Sequence, residues 1–307
     1  MQVLAAAREA LFALNERLAQ ADYRAGWGNA IADARSAQQQ ETARVYAVEY
    51  TGEGFVPEID DHLDRDRVFA EFIEKTDSLL TQSRVLGVLN QHLPQDSVIV
   101  AAAGSLPGDL QRVWHNHGEQ GYHVEYGYSC MGYEVNAALG VKLAEPNREV
   151  YAMVGDGAFM MLHSELVTSI QEGCKINVVL LDNMTNGCIN NLQMEHGMDS
   201  YTTEFRFRNP QGGKLDGNLV PVNFAMLAAA YGCKTYSVTT EQQLIEALAD
   251  ARRQTVSTLL DIKVLPKTMV HKYLSWWRVG GAQVADSEKI VAVARKLQEN
   301  IDKARDY

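Results

Sequence analysis

The sequence is short of cysteine, of long apolar runs and of positive charge, and each shortage removes a class of function. Its four cysteines, Cys130, Cys174, Cys188 and Cys233, form no C-x-x-C pair and no framework of close spacings. A disulfide scaffold is therefore not expected, and reduced thiols in a cytoplasmic protein are the simple reading. The opening residues Met1-Gln2-Val3-Leu4-Ala5 begin an amphipathic pattern studded with acids and bases, without the uninterrupted apolar stretch of a signal peptide or membrane span. Lysine and arginine number 28 against 39 acidic residues, a formal net charge of −11. A field of that sign repels nucleic-acid backbones and anionic membrane surfaces, so neither is an expected partner. No G-x-G-x-x-G follows a predicted strand and no G-x-x-x-x-G-K-[ST] occurs, which argues against dinucleotide and P-loop nucleotide binding. Gly104-Ser105-Leu106-Pro107-Gly108 is not the G-x-S-x-G nucleophile elbow, and no serine hydrolase is implied.

What is present is enough apolar material for a sizeable core: 46% of the 307 residues are hydrophobic and 22% are charged, which suits one large or two modest globular domains. Leu4, Ala7, Leu11, Leu14 and Leu18 recur at three- and four-residue steps, the apolar stripe of a helix. A second, polar helix is expected to about Arg44. Thr51-Gly52-Glu53-Gly54, Pro57 and the acidic run Glu58-Ile59-Asp60-Asp61 then read as a connector. Residues 1–65 thus form a helical segment without a core of its own, and residues 66–307 a second domain.

In that second domain short apolar strands alternate with helices. Strands are expected at 98–102, 150–154, 176–181, 234–238 and 258–264, largely apolar as a parallel sheet covered on both faces requires. Helices are expected at 131–143, 159–171, 224–231, 241–253 and 286–303. This rhythm predicts right-handed crossovers and a doubly wound α/β fold, a parallel sheet with helices on both faces. Residues 198–220, with Asn209-Pro210, Gly212-Gly213 and Gly217, exceed a normal connection and suit either a disordered loop or an active-site lid.

The sharpest chemical signal is Val154-Gly155-Asp156-Gly157-Ala158 at the end of one strand and Leu181-Asp182-Asn183 at the end of the next. A crossover places the C-terminal ends of neighbouring parallel strands side by side, so Asp156 and Asn183 can face one ion. A carboxylate, a carboxamide oxygen and a loop carbonyl suit Mg²⁺, which completes its shell with ligand phosphates and water. A helix opening at Ala158 would add free N–H groups for the same phosphates, and Gly155 and Gly157 permit a close turn. A strand-Gly-Asp-Gly-helix on its own is a common turn and cap; the paired Asp and Asn at crossover distance favour the metal.

These residues resemble the signature of the thiamine-diphosphate (ThDP) enzymes, a G-D-G followed a helix and a strand later by N-N. Here Asp182-Asn183 stands in place of N-N, a departure at the first position, whereas the family's metal ligand is the second. Gly127-Tyr128-Ser129-Cys130-Met131-Gly132-Tyr133 is similar to the segment whose methionine props the cofactor into its bent form, and Ala103-Gly104-Ser105-Leu106 to the loop that touches the diphosphate. The resemblance implies a metal shell of Asp156, Asn183 and the Thr185 carbonyl. Around the cofactor it implies Gly104, Ser105, Leu106, Ser129, Met131, Gly155, Gly157, Ala158, Gly187 and Cys188.

Further matching stretches are Glu125 to Glu134, His163 to Ser169, Cys188 to Gln193, and Val264 to Met269 with Ser275-Trp276-Trp277. Within the family they point to the branch that hydrolyses a carbon–carbon bond to open a cyclic 1,2-dione in inositol catabolism. The resemblance covers essentially the whole chain but only about the C-terminal half of such an enzyme. It implies that the glutamate activating the cofactor sits on a separate pyrimidine-binding domain, that residues 1–65 are the tail of a middle domain, and that the enzyme is a homodimer or homotetramer. His123 and Glu125, just before the methionine segment, are second-tier candidates for the reacting face. His163 and Glu165 are first read as an ordinary helix face, His115-Asn116-His117 as a polar loop, and Trp276 and Trp277 as packing residues. An acetolactate synthase-like carboligase or decarboxylase would share every cofactor residue, and a non-catalytic ligand-binding or dimerising module would share the fold.

Overall fold

The computed structural model describes residues 6–24, 26–50, 65–116, 118–268, 282 and 284–303. The expected connector at 51–64, His117 and the segment with Ser275, Trp276 and Trp277 lie outside the described residues. The chain divides into two compact units, residues 1–44 and 45–307. The first holds helix α1 (Ala7–Gln20) and most of α2 (Gly28–Tyr46). Helix α1 buries none of its residues, and Leu11 and Leu14 of its apolar stripe are exposed.

The second unit is built on one sheet of six parallel strands: β1 (Val98–Ala101), β2 (Tyr122–Val124), β3 (Val150–Gly155), β4 (Asn177–Asp182), β5 (Lys234–Val238) and β6 (Thr258–Lys263). They lie in the order β2-β1-β3-β4-β6-β5. Strand side chains alternate between faces, and the core divides accordingly. Ile99, Tyr151, Met153, Val179, Leu181, Leu260 and Ile262 form one cluster with Leu86 and Leu89 of α4 (Gln82–His92), Leu110 of α5 (Ser105–Val113) and Leu248 of α11 (Glu241–Ala251). On the other face Val98, Val100, Ala152, Val154, Val178, Leu180 and Leu259 meet Val135 of α6 (Tyr133–Ala144), Phe159 of α7 (Asp156–Met161), Leu166 of α8 (Glu165–Gln171) and Phe224 of α10 (Phe224–Ala230). This is the doubly wound α/β fold that the alternating pattern predicts.

The remaining helices are α3 (Arg65–Thr76), α9 (Gly187–Glu195) and α12 (Glu288–Asp302). Local chemistry fixes several starts: the Thr81 side chain accepts the Arg84 N–H ahead of α4, and Thr240 with Gln243 makes a capping box ahead of α11. Two expected boundaries shift for visible reasons. Gly132 adopts a left-handed φ of 89°, so α6 begins at Tyr133 and Met131 stands outside it. The single helix expected at 159–171 is two, because Leu162 is in a non-helical conformation between α7 and α8. A Cβ on Gly132 would lie 3.1 Å from that of Leu162, which shows how tightly this break seats against the methionine segment.

The long connection at 198–220 is folded. It makes antiparallel bridges Thr185↔Glu204 and Arg206↔Leu219. Glu71 of α3 accepts Arg206 Nη1 at 2.9 Å and the Leu219 N–H, and Lys267 binds Glu204 at 2.8 Å.

Strand order positions the site. From β1 the chain passes through α5 to β2 on one side, and from β3 through α7 and α8 to β4 on the other. A crevice opens outside the carboxyl ends of two adjacent strands whose connections diverge, and open α/β sheets bind ligands there. Residues 102–106 and 155–158 are the two lips of that crevice.

Candidate cofactor and metal site

Four connections converge at the crevice. Asp156, 2% exposed at the start of α7, accepts the Gly157 N–H at 2.7 Å through Oδ1. Its Oδ2 accepts the N–H groups of Asn183 at 3.1 Å and Thr185 at 3.2 Å. Asn183 Oδ1 in turn accepts the Thr185 N–H at 3.0 Å and its hydroxyl at 2.8 Å. The three residues expected to share an ion are therefore tied to one another across β3 and β4. Helix α7 opens at Asp156 rather than Ala158, and the Gly157 N–H is already taken by the aspartate.

Two glycines mark close approach. A Cβ on Gly157 would lie 2.2 Å from Asn186 Oδ1 and 3.6 Å from Met131 Cε. One on Gly187 would lie 3.2 Å from Ser105 Oγ and 3.3 Å from Asn183 Nδ2. These contacts bring Met131, Ser105, Asn183, Gly157 and Gly187 into one cluster, although they come from four separate connections. Gly104 has φ 114° and ψ −170°, a conformation open to glycine alone, and it turns the chain from β1 into α5. Ala158 and Leu106 are buried in the core clusters on either side of the sheet.

Residues 102–262 match the family model described as "Thiamine pyrophosphate enzyme, C-terminal TPP binding domain". The chain belongs to the thiamine pyrophosphate enzymes. It is 54% identical over all 307 residues to a protein of Bacillus thuringiensis (strain Al Hakam) named 3D-(3,5/4)-trihydroxycyclohexane-1,2-dione hydrolase, of which it covers 47%. A protein of the same name from Bacillus cereus (strain AH820) is 53% identical over the same span, again with 47% covered. The chain thus spans about half the length of the curated relatives it matches. Among solved structures, a Rhodococcus jostii RHA1 thiamine diphosphate-dependent 4-hydroxybenzoylformate decarboxylase superposes at a TM-score of 0.50 with 20% identity, over 62% of this chain and 33% of that one; this likeness supports the fold.

In this ThDP-enzyme domain the departure from N-N carries its own compensation. Asp182 is buried, and its Oδ1 accepts the Met184 N–H at 3.0 Å, shaping a turn in which Met184 holds φ 55°. Its Oδ2 meets Lys263, the residue directly across from it in the β4–β6 register. Lys263 also pairs with buried Asp261 at 2.9 Å. Burial would lower the Lys263 ammonium, but the two aspartates raise it. Burial pushes the Asp261 carboxyl up to about 6 despite Lys263. The Asp156 carboxyl is held well above the usual range, first by burial and then by the neighbouring Asp182 carboxylate. A desolvated carboxylate beside another, with a carboxamide oxygen next to it, is a donor set that fits a hard divalent cation.

The Met131 segment has two carboxylates of its own. Glu125 accepts the N–H groups of Tyr128 and Cys130, each at 2.8 Å, and these bonds hold its carboxyl below the usual range. Its side chain is therefore turned back onto its own loop. Glu134, 1% exposed, accepts the Gly132 N–H at 3.0 Å. Burial lifts its carboxyl to about 7. His123 is exposed on β2. His163 receives or donates a 3.0 Å bond with the Tyr231 hydroxyl and stacks on its ring, a packing role.

A cavity of about 330 Å³ lies apart from this cluster, lined by Arg67, Asp199, Glu204, Arg206, Asp216 and Lys267 among others. Arg206 and Lys267 both pair with Glu204 there. Burial would raise the Glu204 carboxyl, but Lys267 first, and hydrogen bonds from Lys267, Ser200 and Arg206, bring it down to about 2. Its charges answer one another and staple residues 198–206 to the end of β6.

Sequence reasoning did not single out Asn186, Glu134, Asp261 or Lys263. The last two had a legible signal: alternate residues of a strand share a face, and charged residues inside an apolar, central strand require a buried partner.

Proposed function

We propose that this chain is the diphosphate- and metal-binding half of a ThDP-dependent hydrolase that opens a cyclic 1,2-dione, trihydroxycyclohexanedione, to 5-deoxy-glucuronate in inositol catabolism. The observation that carries the reading is the convergence of Asp156, Asn183 and Thr185 where Gly157 and Gly187 let Asn186 and Ser105 approach closely. Identity of 54% to proteins named for that reaction supports the substrate class.

In this reading Mg²⁺ is held by Asp156, Asn183 and the Thr185 carbonyl. Gly104, Ser105, Leu106, Gly155, Ala158, Gly187 and Cys188 surround the diphosphate, and Ser129 and Met131 support the ring end. ThDP, when bound, supplies the nucleophilic carbon and electron sink that the C–C cleavage needs. The chain's own residues bind and orient; none of them is assigned the proton that activates the cofactor, which we give to a glutamate on a pyrimidine-binding domain. Tyr126, Tyr128, Met160, Met161 and Ile189 stand exposed on the segments that bound the site. An apolar rim of this kind supports cover by that further domain, within a homodimer or homotetramer.

Purified residues 1–307 with ThDP, Mg²⁺ and the dione are expected to give no ring opening, and addition of the pyrimidine-binding domain, linked or in trans, is expected to restore it without release of CO₂. The expectation follows from the need to enclose the reacting carbon and to protonate the pyrimidine. Robust turnover by the chain alone would overturn the half-enzyme reading, and CO₂ release would replace the hydrolase by a decarboxylase.

A further inference from the structure

The residues that lead into Met131 have little to pack against, although Gly132 after it seats on Leu162. Tyr128 is 92% exposed, and Ser129 and Cys130 are exposed beside it. Ser129 holds a left-handed φ of 56° and Gly132 one of 89°, so the stretch is neither helix nor strand and makes no ladder of its own. Apolar burial does little to fix residues 128–130, and their order has to come from hydrogen bonds.

Those bonds come from two carboxylates placed symmetrically about the methionine. Glu125 takes the N–H of Cys130, immediately before Met131, on one oxygen and that of Tyr128 on the other. Glu134 takes the N–H of Gly132, immediately after Met131. Each amide is a donor that needs an acceptor, and at Glu125, whose carboxylate is held in its charged form, the bonds are charge-assisted and strong.

We propose that Glu125 and Glu134 are positioning residues that clamp Met131 through the amides on either side of it. The inference rests on the reading of this loop as a cofactor loop, but the clamp itself is independent of any ligand. It gives Glu125 a role other than contact with the reacting face.

Amide hydrogen exchange of the full 307-residue chain, without cofactor, tests it. Glu125→Ala is expected to speed exchange at Tyr128 and Cys130 by at least ~10-fold, and Glu134→Ala to do so at Gly132, because each amide loses its carboxyl acceptor. Glu125→Gln has the same shape but turns one oxygen into an NH₂ group, so one of the two amides is still expected to speed up; a side chain that merely filled space would be rescued by it. Should Glu134→Ala fail to fold, the two Glu125 variants decide, since that side chain supports no core. Unchanged protection at Tyr128 and Cys130 in both Glu125 variants would overturn the clamp. Failure of the cofactor reading would show differently, as absence of ThDP binding by the unmodified chain.

Discussion

Gly157 and Asn186 meet so closely that a methyl group on the glycine would lie 2.2 Å from the asparagine Oδ1. The contact joins the G-D-G turn to the start of α9, where Gly187 and Cys188 follow at once. Gly157→Ala is expected to push the Asn186 side chain aside and to weaken Mg²⁺-dependent ThDP binding about 10-fold, roughly 1.4 kcal/mol. The fold should survive, because the displaced atom ends a side chain rather than the backbone. Adding Asn186→Ala removes the obstacle and should recover most of the loss. Calorimetric titration of both variants checks this; a double variant no better than the single one would mean that the contact is not the cause.

The metal assignment makes a second prediction. Asp156→Asn withdraws the charge and turns one of the two accepting oxygens into an NH₂ group, while Asn183→Ala removes an oxygen that the same backbone cannot replace. Each should weaken Mg²⁺-dependent ThDP binding by at least ~10-fold. Wild-type affinity in both would sink the assignment.

The parallel sheet was legible because buried strands such as Val150–Gly155 and Asn177–Asp182 are almost wholly apolar, and the helices between them have regular spacing. Asp156 and Asn183 were legible because strand-to-strand crossover geometry makes their convergence a matter of topology. What the sequence hid depends on contacts between distant turns. Nothing local announces that Asn186 packs over Gly157. The three-residue strand Tyr122–Val124 was missed because an edge strand that short carries no readable alternation. The break between α7 and α8 was missed because Leu162 and His163 continue an apolar helical pattern while tertiary contact with Gly132 stops the helix.

Glu134 predicts a pH dependence. Its carboxyl titrates at about 7 in the fold against 4.5 in an open chain, because burial disfavours the charged form. The protonated group is thus favoured by folding. Its contribution to stability is fully present below pH 4.5, falls as pH rises, and is lost once pH passes about 7, a change of about 3 kcal/mol in all. Glu134→Gln stays neutral throughout and should lack this component. Urea unfolding at pH 5 and pH 8 measures it: the wild type should lose more stability across that interval than the variant, and equal losses would show that the carboxyl does not titrate in this window.

Lys263 offers the last prediction. It stands opposite Asp182 in the β4–β6 register and pairs with Asp261 two residues before it, with both aspartates buried. Asp156 lies beside Asp182 on the other side, while the ammonium itself pairs with Asp182 and Asp261. Lys263→Met preserves the length of the side chain and removes its charge. Asp182 and Asp261 would then be left buried without a counter-charge, which should destabilise the chain by about 3–5 kcal/mol in the absence of metal. If charge alone is the cause, neutralising the aspartates in the same background should reverse it. The triple variant Asp182→Asn, Asp261→Asn, Lys263→Met should regain most of the loss, since the carboxamide introduced at position 182 could still accept the Met184 N–H that shapes the metal loop. Mg²⁺ should also stabilise the single variant more than the wild type, because it would supply the positive charge that the lysine provided. Chemical denaturation with and without Mg²⁺ reads all three effects. A single variant within about 0.5 kcal/mol of the wild type, or a triple variant no more stable than the single one, would show that Lys263 is not the counter-charge that makes an aspartate tolerable at position 182.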